Sequence, residues 1–162
     1  MMKSSGVRVL KGGHLIITIV LLLTMILSVE GWQLFVTPIS ALGVIPRTSV
    51  FFPYFITFQT LVMGVLYRRK KVKPFLSFVG LASLFLICIY DMYSFRDLHN
   101  FFAVLFFAIQ PIIFFVEYRR KKDVYALTKF AVLVFLILLG FLGIIPLPIF
   151  EFISYSLLIL FL

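Results

Sequence analysis

Six apolar runs constrain this chain more than any other feature of its sequence. The runs cover residues 15–29, 50–67, 74–90, 98–116, 126–143 and 149–162. A membrane span needs about 17–25 helical residues, so a chain of 162 residues holds six spans with little left for loops. The runs do not alternate between apolar and polar residues, and helices are the remaining way to span a bilayer. We therefore predict an all-α protein, a polytopic transmembrane helical bundle of six spans that forms a single domain over residues 1–162.

The composition excludes the soluble and the disordered classes of protein. The chain is 63% hydrophobic and 13% charged, whereas soluble domains are about 45–50% apolar and about 25% charged. The first run resembles a signal peptide, but no small-x-small cleavage site follows it, so we expect an anchored first helix. The only cysteine, Cys88, excludes a disulfide framework and a cysteine-based metal cluster. We expect no cofactor.

The basic residues indicate how the chain is oriented in the cell membrane. With the N-terminus inside, only Arg47 and Arg96 among the 15 Lys and Arg residues fall outside. The inner residues are Lys3, Arg8, Lys11, Arg68, Arg69, Lys70, Lys71, Lys73, Arg119, Arg120, Lys121, Lys122 and Lys129. The positive-inside rule then predicts that both termini are inside. We expect these residues to face anionic lipid head groups and not nucleic acid, because no folded basic domain presents them.

A short motif occurs twice and suggests an internal repeat. The segment YRRKK at residues 67–71 recurs at residues 118–122, 51 positions later, and Gln59 and Gln110 have the same offset. One interpretation is that helices two and three form a hairpin that is repeated, in parallel orientation, as helices four and five. The other is that YRRKK is a common ending of a membrane span and that the glutamines coincide by chance.

Gln59 and Gln110 lie near the middle of their predicted spans, where an amide needs hydrogen-bond partners. We expect both to face the bundle interior, either as interhelical contacts or as part of a ligand site. Pro111 removes a backbone donor and is expected to kink the fourth helix. Lys129 is expected to extend towards the inner face.

A cluster of polar residues collects on the outer side of the predicted bundle. The loop 30–49 between the first two spans is rich in apolar residues, so we expect it to lie in the membrane interface or to fold over the bundle. The outer rim would then be a pocket for a lipid or small ligand, or simply a stabilising lid. Its candidate ligand-binding residues are Ser40, Arg47, Asp91, Arg96, His99 and Glu151.

An alternative interpretation makes the same rim a catalytic metal site. Asp91, Asp97 and His99 would bind a divalent metal whose water hydrolyses a substrate at the membrane surface. Against this, Ser94 and Asp97 fit a Ser-x-x-Asp helix-capping pattern. Asp97 and His99 are also two positions apart, which does not place them on one helix face.

Two segments resemble a known family. PISALG at residues 38–43, followed by Arg47, and LHNFFA at residues 98–103, followed by two phenylalanines, resemble domain-of-unknown-function family 998. These are uncharacterised prokaryotic six-helix membrane proteins, similar to the DRAM/FRAG-type membrane proteins. The resemblance implies six helices with a polar outer rim near Ser40 and His99, and it implies no established reaction.

The function that we predict from the sequence is therefore that of a non-enzymatic membrane protein. It would bind a lipid or small ligand at the outer rim, or serve as an accessory subunit beside partner membrane proteins or further copies of itself. The alternative is the metal-dependent hydrolase.

Overall fold

Six helices make up most of the part of the chain that the structure describes. The computed structural model describes residues 4–30, 39–43, 45–46, 48–90 and 93–161, without the side chains of residues 4–11, 39–40, 147–148, 152 and 159. The helices are α1 (Ser4–Leu27), α2 (Phe51–Arg69), α3 (Pro74–Ile89), α4 (Arg96–Lys121), α5 (Val124–Phe141) and α6 (Leu147–Phe161), with a 3-10 helix at Ile39–Gly43. These residues contain no strand, so the predicted all-α class is confirmed for them.

The helix ends follow from local chemistry. Pro74 occupies the first turn of α3. The backbone N–H groups of this turn have no partner within the helix, so a proline, which lacks the N–H, costs no hydrogen bond there. Asp123 precedes α5, and its carboxylate accepts a hydrogen bond from the backbone N–H of Tyr125 at 3.0 Å. Lys71 and Lys122 follow α2 and α4 in the left-handed conformation, with φ of 54° and 55°. In this way two tight turns reverse the chain.

Several helices extend beyond the apolar runs. α1 begins at Ser4, ahead of the run that starts at Leu15, and α4 continues through its basic residues to Lys121. α6 begins at Leu147, between two prolines. An apolar run shows which residues are suited to a lipid environment, but it does not show where the helix ends. Lys, Arg and Glu are good helix formers, so a helix can continue through them.

The core lies between α2, α3 and α4. Met63, Leu66 and Tyr67 of α2 and Phe106 and Phe114 of α4 are buried in one cluster. Helices that are neighbours in sequence pack against each other, and α1 closes the bundle by contacting both α2 and α6.

One glycine sets the closest approach in this core. A Cβ at Gly80 of α3 would lie 3.2 Å from both the Tyr67 hydroxyl oxygen and the Ile109 side chain. The missing side chain therefore lets α3 pack tightly against α2 and α4.

The surface that the described helices expose around the bundle is largely apolar. Large apolar side chains are more often exposed than buried, and Phe75, Phe78 and Phe135 are exposed at 73%, 71% and 61%. Two helices, α4 and α5, are long and apolar enough to cross a membrane. Shorter apolar stretches occupy Gly12–Leu27, Pro74–Ile89 and Ile149–Leu158. The described residues are thus helical and include two helices long and apolar enough to cross a membrane.

Candidate functional site

His99 occupies the first turn of α4 and is buried, with 3% of its surface exposed. Its Nδ1 lies 2.8 Å from the backbone carbonyl oxygen of Tyr90, which can only accept a hydrogen bond. Nδ1 therefore carries the hydrogen, and in the neutral ring Nε2 is left as an acceptor. The end of α3 thus fixes both the orientation and the tautomer of this histidine.

Two cavities meet at His99. The first, which we call the central cavity, has a volume of about 80 Å³ between α1, α2, α3, α4 and α6. The second, which we call the lateral groove, has a volume of about 320 Å³ between α4, α5 and α6. Both are lined by His99, Ala103, Phe107 and Glu151. These four residues form the wall that the two spaces share.

The lateral groove is apolar along most of its length and polar at one end. Phe107, Ile137 and Phe150 line the apolar part, and His99, Asn100 and Glu151 form the polar end. Small-molecule pockets typically have volumes of about 300–1,000 Å³ and are mostly apolar, with a few polar groups that orient the ligand. The lateral groove is likewise mostly apolar, and its volume of about 320 Å³ lies near the lower end of this range.

Its floor depends on a glycine of α5. A Cβ at Gly140 would lie 2.9 Å from the Phe150 ring, so the absence of a side chain lets α6 lie close to α5. Val104 and Phe141 of the lining are exposed at 48% and 71%. The groove is therefore open along the outside of the bundle, between α4 and α5.

The described part of the long first loop folds onto the bundle. Leu42 of the 3-10 helix is fully buried, and the Thr48 hydroxyl donates to its carbonyl oxygen at 2.7 Å. A Cβ at Gly43 would lie 2.8 Å from the ring of Phe52, a residue that lines the central cavity. These residues behave as a lid, which agrees with the prediction that this loop folds back.

The structure brings together two of the predicted ligand-binding residues. His99 and Glu151 share the wall between the cavities, whereas Arg96 is exposed and lines neither space. The Ser40 side chain, Arg47 and Asp91 lie outside the described residues.

The described residues do not assemble the alternative metal site. They contain no group of three or more His, Cys, Asp or Glu side chains that could hold a metal ion, and Asp91 lies outside them. Asp97 is exposed while His99 is buried. α4 begins one residue later than the Ser-x-x-Asp pattern predicts, because Phe95 and not Ser94 precedes its first residue.

Gln59 and Gln110 are buried in separate hydrogen-bonded groups. Gln59 Nε2 donates to the Thr18 hydroxyl oxygen at 2.8 Å, and its Oε1 is hydrogen-bonded to Nε2 of His14. Gln110 Oε1 accepts from the Tyr67 hydroxyl at 2.6 Å. Thr18 also lines the central cavity, so the Gln59 group reaches that space.

Sequence reasoning missed His14. This residue precedes the first apolar run, yet it is buried and hydrogen-bonded to Gln59 near the middle of α2. The available signal was its spacing of four residues from Thr18, since such residues share one helix face.

Comparisons of the chain with protein-family models, curated proteins and solved structures found no match. The resemblance to family 998 therefore stays a prediction.

Proposed function

We propose that the protein is a multi-pass protein of the cell membrane, with six spans and both termini inside. The apolar outer surface supports this, because exposed apolar patches of this extent are rare on soluble monomers. α3 has 16 residues and is therefore about 24 Å long, less than the hydrocarbon thickness of about 30 Å. Local thinning of the bilayer and extension of flanking lysines can accommodate such a helix. α2 and α4 both end in basic residues, which supports the inward orientation of those ends.

We propose further that the protein binds a single-chain amphiphile in the lateral groove. The observation that carries this proposal is the shape of the groove, an apolar channel that ends at His99, Asn100 and Glu151 and is open between two helices. A membrane lipid or lipid fragment can enter such a groove sideways. The apolar chain would lie along Phe107 and Phe150, and the polar end of the ligand would lie at His99.

The polar end also selects the chemistry of the ligand. In the neutral ring, His99 Nε2 is an acceptor, since Nδ1 donates to the carbonyl oxygen of Tyr90. Such an acceptor favours a hydroxyl or amide donor, whereas an ionised carboxylate can only accept and gains no hydrogen bond from it. A neutral monoacylglycerol therefore fits better than a fatty acid of the same length.

The test compares these two probes on the full chain in phosphatidylcholine nanodiscs. We expect the monoacylglycerol to bind more tightly than the fatty acid at neutral pH. Ala103→Leu adds side-chain volume in the shared wall and is expected to weaken monoacylglycerol binding by about tenfold or more, because overpacking a filled site costs about 1–3 kcal/mol. The matched control is Ala131→Leu, the same substitution at an exposed position on α5.

The thermal unfolding of both variants establishes that they are folded. Equal weakening by Ala103→Leu and Ala131→Leu would show that the amphiphile dissolves in the nanodisc and does not occupy the groove. Tighter binding of the fatty acid would contradict the proposed chemistry of the polar end.

A further inference from the structure

A second, chemically different recess lies at the opposite end of the bundle. It is formed by the turn between α2 and α3 together with the last turns of α4, and its volume is about 340 Å³. Its lining includes five cationic residues, Lys70, Lys71, Lys73, Arg119 and Arg120. We call it the basic groove. It shares no lining residue with the lateral groove.

Hydrogen bonds hold the basic groove in shape. The guanidinium of Arg120 donates to the carbonyl oxygens of Lys71 at 3.2 Å and Lys70 at 3.1 Å. These bonds tie the end of α4 to the turn that leaves α2. Lys71 itself has a positive φ of 54°, so the turn has a defined conformation. The backbone that surrounds the groove is therefore held in one arrangement.

The basic groove has a net positive charge, because its lining contains five cationic residues and one acidic residue, Glu117. Glu117 lies 3.4 Å from Lys70 and 2.8 Å from Lys121, and only 11% of its side chain is exposed. Lys71, Lys73 and Arg119 are exposed at the rim. An anion that enters meets two ammonium groups and a planar guanidinium, which can bind phosphate oxygens in a bidentate manner.

We propose that the basic groove is a binding site for a phosphomonoester. A group with nearly two negative charges and three acceptor oxygens matches several converging cations better than a singly charged phosphodiester or carboxylate. Two sources carry this chemistry, namely phosphatidic acid of the adjacent leaflet and a soluble phosphate compound. The site goes beyond a general attraction of basic residues to lipid, because it confines recognition to one recess.

The test measures phosphatidic acid binding by native mass spectrometry of the full chain, with phosphatidylserine as the singly charged comparison. We expect wild type to prefer phosphatidic acid. The double variant Lys73→Gln/Arg119→Gln should lose about tenfold or more of that affinity, since each basic residue near an anionic surface contributes on the order of a fivefold effect. The matched control, Arg68→Gln/Lys122→Gln, removes the same charges from exposed positions outside the groove.

The control double variant should bind phosphatidic acid within about twofold of wild type. Equal losses in the two double variants, or no preference of wild type for phosphatidic acid over phosphatidylserine, would overturn the proposal.

Competition by inorganic phosphate distinguishes the two sources of the phosphomonoester, the lipid and a soluble compound. Displacement of the lipid shows that the groove recognises the phosphate alone, as a soluble compound would require, and resistance shows that the lipid is the source. Monoacylglycerol binding in the lateral groove should be unchanged in both variants, so each proposal can fail without the other.

Discussion

At the scale of single residues, the buried amides stabilise the bundle through specific partners. Gln59 connects α2 to His14 and Thr18 of α1, and Gln110 connects α4 to Tyr67 of α2. The sequence predicted that both glutamines need partners, because an amide within an apolar run is otherwise unsatisfied. It did not identify the partners, because the rotation of each helix depends on packing between segments that are distant in the chain.

Replacing Gln59 by leucine should destabilise the protein. The substitution leaves the His14 ring and the Thr18 hydroxyl without the amide, and an unsatisfied buried polar group costs about 1–3 kcal/mol. The double variant His14→Leu/Gln59→Leu removes both main partners and should be less destabilised than the sum of the two single variants. Equilibrium unfolding of all three in mixed micelles measures the coupling, and strictly additive losses would show that the pair contributes no interaction energy.

The Glu117 ion pairs should make stability depend on pH. Burial raises the pKa of Glu117, but the hydrogen bond from Lys121 and the charge of Lys70 outweigh burial, so its pKa lies below the ordinary value of 4.5. Glu117 lies just beyond the predicted span 98–116. A lowered pKa in the folded state stabilises the protein above the ordinary pKa, and this contribution is lost as the pH falls through the folded-state pKa.

We therefore expect Glu117→Gln to melt at a lower temperature than wild type at about pH 7 and to approach it at about pH 3. The control Asp97→Asn alters an exposed carboxylate at the other end of α4 and should not reproduce this convergence. A constant difference between wild type and Glu117→Gln across this range would exclude the ion pairs as its cause.

At the scale of elements, both YRRKK segments place their last lysine in a backbone conformation of positive φ just after a helix. Lys71 and Lys122, 51 positions apart, both have a positive φ and reverse the chain. The similarity does not extend to the whole motif, because Tyr67 is fully buried and Tyr118 is only half-buried. The repeated hairpin therefore stays a prediction, supported at the helix ends.

The predicted helices were most accurate where a local signal marks the end. Pro74 predicted that the third helix begins at this residue, and α3 begins there. The 3-10 helix at Ile39–Gly43 had no such signal, because its burial depends on contacts with α2 and α6. The lid could be predicted from the apolar composition of the loop, but its conformation could not.

The end of α6 should depend on Lys129 of α5. The Lys129 ammonium donates to the carbonyl oxygen of Phe161 at 3.0 Å and lies over the rings of Phe114 and Phe161. Lys129→Met should destabilise the protein by about 1–2 kcal/mol, since a cation at a helix C-terminus and a cation–π contact are both lost. Hydrogen exchange should increase in the last turn of α6.

Lys122→Met is the matched control for this substitution. Lys122 contacts only the Tyr118 ring by this type of interaction among the described residues, so its loss should leave α6 unchanged. Equal exchange in the two variants would show that Lys129 does not hold the end of α6.

At the scale of the whole molecule, the two grooves lie at opposite ends of the bundle and have opposite chemistry. The lateral groove ends at a histidine and a carboxylate, and the basic groove is lined by five cations. The charge map of the sequence predicted this polarity, because the loops between the apolar runs alternate in their basic content. It could not predict the cavities, whose shape depends on how side chains of three or more helices pack.

The same polarity leads to a prediction for the orientation of the chain. A phosphatase reporter fused after Asp97 should be active outside the cell, and one fused after Lys73 should be inactive, because the basic end is retained in the cytoplasm. A β-galactosidase series should give the reverse pattern. Cytoplasmic signals after both residues would contradict the placement of α3 as a span, even though its apolar residues are exposed on the bundle surface.

Neutralising Arg68, Arg69, Lys71 and Lys73 together should increase phosphatase activity after Lys73, because orientation follows the Lys and Arg content of short loops. If both reporters are unchanged when these four residues are neutralised, the remaining basic residues of α1 and α4 determine the orientation of the chain.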